Sequence, residues 1–380
     1  MEGAVTVTNV FEVSDKIIEH VRMHYAEDIA IIAYYGSYAQ GTATFRSDLD
    51  FFFIPSTMKG YEASIQFIVD EISFDFWPIS WERAERMASF HESKTTIIAD
   101  SKLLYVRSEE DKERFLKLRD TISDFQKTEN RMKWVEKAES ELENVYVHLY
   151  KLETASLPTQ ITFYRIEAHA ILTNLLESLA LLNQTYFTKG FGKNREQIMG
   201  FPLKPANLEK DMNIILHSDR REDILQACQQ LTKETLEIIL AEKEKYPGSP
   251  SYPDRLKGFY EEFKGALDKI ITACEEGDYD TAFFNSIHVQ DETARSLYFA
   301  EKGRWPTNLT SHSAYMDGYI RAGLPELIPL LDVNRLSVLQ AAVERLSTLL
   351  EHHLQVNGVI INRFDDNEHF AAFLRDSHIK

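Results

Sequence analysis

Cysteine is scarce: Cys228 and Cys274 are the only two in 380 residues, too few for a disulfide framework or a thiolate zinc site. Both read as inert core thiols in a reducing cytosol. No apolar run reaches the roughly 18 residues of a membrane span. The opening MEGAVTVTNVFEVSD has no basic flank followed by an apolar stretch, so a soluble cytoplasmic protein is expected. Without secretion, the glycosylation patterns at Asn183-Gln184-Thr185 and Asn308-Leu309-Thr310 carry no meaning. Internal repeats and low-complexity tracts are missing, which excludes a solenoid. The histidines, His352-His353 included, lack metalloprotease spacing.

Basic residues are the minority, 42 against 60 acidic, for a formal net charge of -18. Division at residue 125 leaves 22 acidic and 13 basic residues before it and 38 and 29 after it, about -9 in each part. No basic half is concealed, so a grip on nucleic-acid phosphates by bulk charge is disfavoured and a cationic small acceptor is the better match. No nucleic-acid or membrane partner is expected. Hydrophobic residues at 44% and charged residues at 27% are ordinary globular usage, enough for a sizeable core, and the length favours two domains.

The first part reads as mixed α/β. Ser14 and Asp15 followed by Ile17, Ile18, Val21 and Tyr25 predict an amphipathic helix over 14–26. Residues 29–35, IAIIAYY, predict a strand buried on both faces, ending at Gly36-Ser37. After the small, polar SYAQGTATFRS comes a second apolar run, DLDFFFIP, stopped by Pro55. Residues 63–69 and 72–79 predict a hairpin turning at Asp70-Glu71. A helix from Ser80 to about Phe90 and a short strand at 103–106 complete about five strands. Beyond about residue 125 long helical segments take over, clearest at 128–152 and 161–187. The segment KYPGSPSYP, with Pro247, Pro250 and Pro253, marks a sub-boundary near 245–254. The expected domains are 1–125 and 126–380.

The chemistry gathers in residues 35–50. Gly36-Ser37 follows a buried strand, where the missing side chain admits another backbone or a phosphate and the next hydroxyl and amides can donate to it. Asp48 and Asp50, two apart on a strand, point to one face while Leu49 points to the other. Paired hard-oxygen donors suit Mg²⁺. In ISFDFWPI, Ile72, Phe74 and Phe76 form one face and Ser73, Asp75 and Trp77 the other. Asp75 is the one charge there, and an ionised carboxylate in so apolar a strand calls for a partner such as a shared metal.

Gly36-Ser37, a ten-residue spacer, Asp48-x-Asp50 and a later lone acid on a strand resemble the nucleotidyltransferase superfamily, and most closely its kanamycin nucleotidyltransferase type. The resemblance implies an α+β architecture: an N-terminal nucleotidyltransferase fold, a small mixed sheet flanked by helices, followed by a C-terminal all-α helical-bundle domain. It implies Mg²⁺ held by Asp48, Asp50 and Asp75, with ATP or another nucleoside triphosphate as co-substrate met by Gly36, Ser37 and Ser47. It implies transfer of a nucleoside monophosphate, AMP in the leading reading, to a hydroxyl of a small acceptor of aminoglycoside type, with pyrophosphate leaving. In this enzyme type a general base comes from the helical domain, where Glu136, Glu139, Glu141 and Glu143 are the candidates and Asp75 the rival. Many relatives carry a basic residue just after Gly-Ser. This chain has Tyr38 there, with Arg46 the nearest cation. The resemblance further implies a homodimer. Two other readings keep parts of this chemistry: adenylylation of a protein partner, as in antitoxin-like nucleotidyltransferases, and an idle nucleotide-binding regulatory module. Arg165, His169, Thr173 and Glu177 recur at four-residue spacing beside Asn174, as an acceptor-pocket lining or as a polar seam. Lys189, Lys193, Arg195 and Lys204 read as a triphosphate contact or as a solvated loop.

Overall fold

The computed structural model describes residues 9–377 except 46, 128, 130, 156–159 and 247. Arg46 and Pro247 therefore lie outside the described residues. The chain divides into two compact units, 1–243 and 244–380.

The first unit opens with α1 (Val10–His24), which starts earlier than its apolar spacing suggests. Asn9, not Ser14, caps it by accepting from the Phe11 amide, while Ser14 is buried and its hydroxyl donates to the Phe11 carbonyl. Next come β1 (Ile29–Tyr34), the single turn α2 (Gly36–Ala39) and β2 (Phe51–Pro55). The predicted hairpin follows as β3 (Ile65–Val69) and β4 (Ile72–Pro78), turning on Asp70 and Glu71 at φ 46 and 64. Positive φ at both turn residues belongs to the tight hairpin whose twist matches its strands.

Five strands form one sheet in the order β3-β4-β2-β1-β5, with β5 at Lys102–Val106. Only β2 and β4 run parallel, so the sheet is mixed as expected. The all-apolar β1 and β2 lie inside it, where both faces need covering. On one face Ile29, Ile32, Phe51, Phe53, Phe74 and Phe76 pack with Val13 and Val21 of α1. On the other, Ala30, Ile31, Phe52 and Ile54 pack with α3 (Trp81–Ala88), α4 (Thr95–Ala99) and α5 (Glu109–Phe125). Ser80 caps α3 by accepting from the Arg83 amide at 3.1 Å.

Helices α6 (Arg131–Glu153) and α7 (Ile161–Leu182) pack on each other. The Ser178 hydroxyl crosses between them to donate to the Ala138 carbonyl at 2.6 Å. Helix α7 ends at Leu182, short of the predicted 187. Only its C-terminal half is nearly all buried, while Ile166 near its start is 61% exposed. Trp134 of α6 sits fully buried in the sheet-face core and donates from its indole to Phe125 O at 2.6 Å. Helices α8 (Arg195–Met199), α9 (Leu208–His217) and α10 (Arg221–Glu244) complete the unit. Two buried ion pairs tie α10 to α6, Lys243–Glu139 at 2.5 Å and Arg131–Glu242 at 3.1 Å.

The second unit is helical: α11 (Tyr252–Arg255), α12 (Phe259–Glu276), α13 (Tyr279–Lys302), α14 (His312–Arg321), α15 (Leu336–Val356) and α16 (Asn367–Ser377). Its core draws on Leu267 and Ile270 of α12, Val289 and Leu297 of α13, Tyr319 of α14 and Leu346 of α15. Among the described residues no helix is long and apolar enough to cross a membrane. Cys228 and Cys274 are buried free thiols, and burial pushes Cys228 up to about 12.

Candidate functional site

The sheet assembles three carboxylates at one end. Parallel pairing sets Phe51 beside Phe76 and Phe52 beside Trp77. One residue earlier on each chain stand Asp50 and Asp75. Because Phe51 and Phe76 face the α1 side, alternation turns Asp50 and Asp75 to the opposite face. Asp48 and Asp50 are not in the strand, as the spacing had suggested, since β2 begins at Phe51. They lie in the extended approach to it, anchored by the Tyr35 amide donating to Asp50 O at 2.9 Å and by fully buried Leu49.

The three acids feel one another. Asp50 is pushed up to about 6, first by burial of its carboxylate and then by the charges of Asp48 and Asp75. Tyr35 is pushed up to about 12, mainly by burial, then by the charge of Asp50, with Asp75 and Asp48 adding to it. A phenol and three carboxyls thus share one electronegative corner. Asp75, which was expected to need a metal as its partner, is exposed and accepts from the Gln66 side-chain amide at 2.8 Å across the hairpin. Like charges without a nearby cation bind protons, or cations, more readily.

Gly36 is required for a reason the sequence did not disclose. Its φ is 71, and a Cβ there would run into the carboxylate of Asp50. The absent side chain makes room for the acid itself. Ser37 follows in α2, half-buried, its hydroxyl without a partner among the described residues. Ser47 is engaged in its own loop, its Oγ accepting from the Thr44 amide at 2.9 Å. Tyr38 packs edge-on against Phe11 at 5.7 Å.

Three hard oxygen donors fit a divalent cation in kind. They are not drawn together as ligands: among the described residues no group of three or more histidine, cysteine or carboxylate side chains could hold a metal ion.

The four candidate glutamates of α6 separate clearly. Glu136 is exposed, Glu143 half-buried, and Glu139 buried and neutralised by Lys243. Glu141, half-buried, opens on a pocket that is also lined by Glu177. The polar seam of α7 therefore runs from solvent to interior. Arg165 and His169 are exposed, Thr173 and Asn174 half-buried, and Glu177 buried. The basic run is solvated: Lys189 and Lys193 are exposed, Arg195 pairs with Glu209 at 2.9 Å, and Lys204 donates to Phe201 O.

Residues 112–245 match the model of the KNTase C-terminal domain family. Over that segment the chain is similar to the helical domain of the kanamycin nucleotidyltransferase type. The match takes in most of α5 and all of α6 to α10, the part of the first unit that the Gly-Ser and aspartate pattern does not reach. The match supports nucleotidyltransferase activity. A crystal structure of a nucleotidyltransferase-like protein from Exiguobacterium sibiricum 255-15 is similar at a TM-score of 0.36 and 8% identity, over 60% of this chain and 76% of that one. No curated protein shows a match.

Proposed function

We propose that the chain transfers a nucleoside monophosphate, AMP from ATP, to a hydroxyl of a small cationic acceptor of aminoglycoside type. The observation that carries this reading is Asp50 set against Gly36, with the charges of Asp48 and Asp75 near enough to add to its raised proton affinity. The acceptor oxygen forms a bond to the α-phosphorus, the bridge to the β-phosphate breaks, and pyrophosphate leaves with the electron pair. Asp48, Asp50 and Asp75 would hold Mg²⁺, which when bound supplies neutralising charge to the phosphate oxygens. The Ser37 hydroxyl is open to donate to a phosphate, and Gly36 keeps the Asp50 carboxylate against the turn. The acceptor proton passes to a carboxylate. Among the α6 glutamates Glu141 is the better suited, because Glu139 is held by Lys243. Asp75 is the rival, exposed and already hydrogen-bonded to Gln66.

The test is pyrophosphate release from ATP and Mg²⁺ across an aminoglycoside panel. Turnover is expected with at least one member, and Asp50→Asn should reduce it by about a thousandfold or more, as loss of a metal ligand and its charge stabilisation demands. Failure of every acceptor, or full activity in Asp50→Asn, would reject the proposal. A nucleotide gained by a protein in intact-mass analysis of an extract would move the acceptor to a polypeptide.

A further inference from the structure

The first unit holds a pocket of about 160 Å³ at the meeting of α6, α7 and the segment from Phe90 to Thr95. Two carboxylic acids line it, Glu141 from α6 and Glu177 from α7. Glu177 is only 9% exposed, and it has neither a hydrogen-bond nor an ion-pair partner among the described residues. A buried carboxylate in this condition is costly, and proteins ordinarily pair it. Elsewhere on α6 this chain does so, giving Lys243 to Glu139.

The other charged groups around the pocket are committed. Lys137 of α6 donates to the Phe90 carbonyl at 3.4 Å and lies 5.7 Å from the centre of the Phe125 ring. Glu92 pairs with Arg83 at 3.1 Å and Arg86 at 3.5 Å. His91 Nδ1 is within 2.8 Å of the Ser89 hydroxyl. The charge acting on Glu177 is that of Glu141. The wall also includes the rings of Phe90 and Tyr186, a setting that favours an organic cation over a hydrated metal ion.

We propose that this pocket is a binding site for a primary ammonium group, which would donate hydrogen bonds to Glu141 and Glu177 together. Ammonium has three donors and no acceptor, complementary to two carboxylates. The site deepens the preceding reading by giving the acceptor's amine a location, and rests on that reading only for the identity of the ligand. Burial, then the charge of Glu141, pushes Glu177 up to about 8. Ammonium binding has to displace that proton, so affinity should fall about tenfold for each pH unit below about 8.

The test titrates 1,5-diaminopentane into the full chain at pH 8.5 by calorimetry, with 1,5-pentanediol as the neutral control. The diamine should bind and the diol should not. Glu177→Gln and Glu141→Gln should each weaken the diamine tenfold or more, with thermal melts showing that both remain folded. No diamine binding at millimolar concentration, equal binding of the diol, or unchanged affinity in Glu177→Gln overturns the proposal. Asp50→Asn should keep diamine binding. Binding that persists where no acceptor is ever turned over supports this site while rejecting the transfer reading, and turnover without diamine binding does the reverse.

Discussion

Glu139 and Glu177 are both buried on the packed helices α6 and α7, and the chain treats them in opposite ways. Glu139 receives the ammonium of Lys243, 104 residues away. Glu177 receives only the like charge of Glu141 and retains its proton up to about 8. The sheet end repeats the second pattern, with Asp50 raised beside Asp48 and Asp75. A carboxylate serving the fold brings its counter-charge with it, because an unpaired buried ion costs several kcal/mol. One left open to a cation from outside does not. Carboxylates that withhold a countercharge point to function, while those that have one hold helices together.

The largest effect that tests this contrast comes from Lys243→Ala. It strands Glu139 and should cost about 3–5 kcal/mol in urea unfolding. Replacing both partners with methionine should recover most of that loss. Glu177→Gln should do the opposite. The folded value near 8 lies above the ordinary 4.5, so the folded state holds the extra proton between those values. The Glu177 contribution to stability is therefore greatest below 4.5 and declines as pH rises to about 8. The glutamine variant should lack this decline and be the more stable protein at pH 8 by a few kcal/mol, read as urea midpoints across pH. If both glutamates responded alike, the contrast would be lost.

Gly36→Ala sharpens the same point at the sheet end. A methyl group at φ 71 against the Asp50 carboxylate should cost about 1–3 kcal/mol. It should also displace the acid, so transfer should suffer more than stability does. The smallest expected change is at the hairpin, where Glu71 adopts φ 64 without a functional neighbour. Glu71→Gly should stabilise by about 0.5–1 kcal/mol in thermal unfolding, because glycine accepts that conformation freely. One positive-φ residue is thus held for the site and the other is merely tolerated.

Much of the first unit was legible in advance because its signals are local. Two-residue alternation in ISFDFWPI assigned Asp75 to the face opposite Phe74 and Phe76, and the structure agrees. The apolar runs at 29–35 and 51–55 marked two interior strands that carry helices on both faces. Boundaries were less legible: α1 begins at Val10 because Asn9 caps it, although Ser14 suits that role equally well by residue type. Asp48 and Asp50 were assigned to a strand that starts one residue later, since the apolar pattern does not reveal where a partner strand stops pairing. Nothing local singled out Glu141 from Glu139, because two glutamates two residues apart on one helix look alike until a lysine from α10 reaches one of them.

Composition and periodicity by themselves determined a strand-bearing α/β part followed by helices, the faces of the strands and the residue types at the glycine-serine bend, since each depends on neighbours within a few positions. Only the tertiary structure decided that Asp50 occupies the space vacated at Gly36, that Gln66 holds Asp75, and that Glu177 is buried beside Glu141 with no ion-pair partner among the described residues. Those outcomes depend on which distant side chains share a low-dielectric space, and the strength of a charge there is set by its surroundings rather than by its place in the chain.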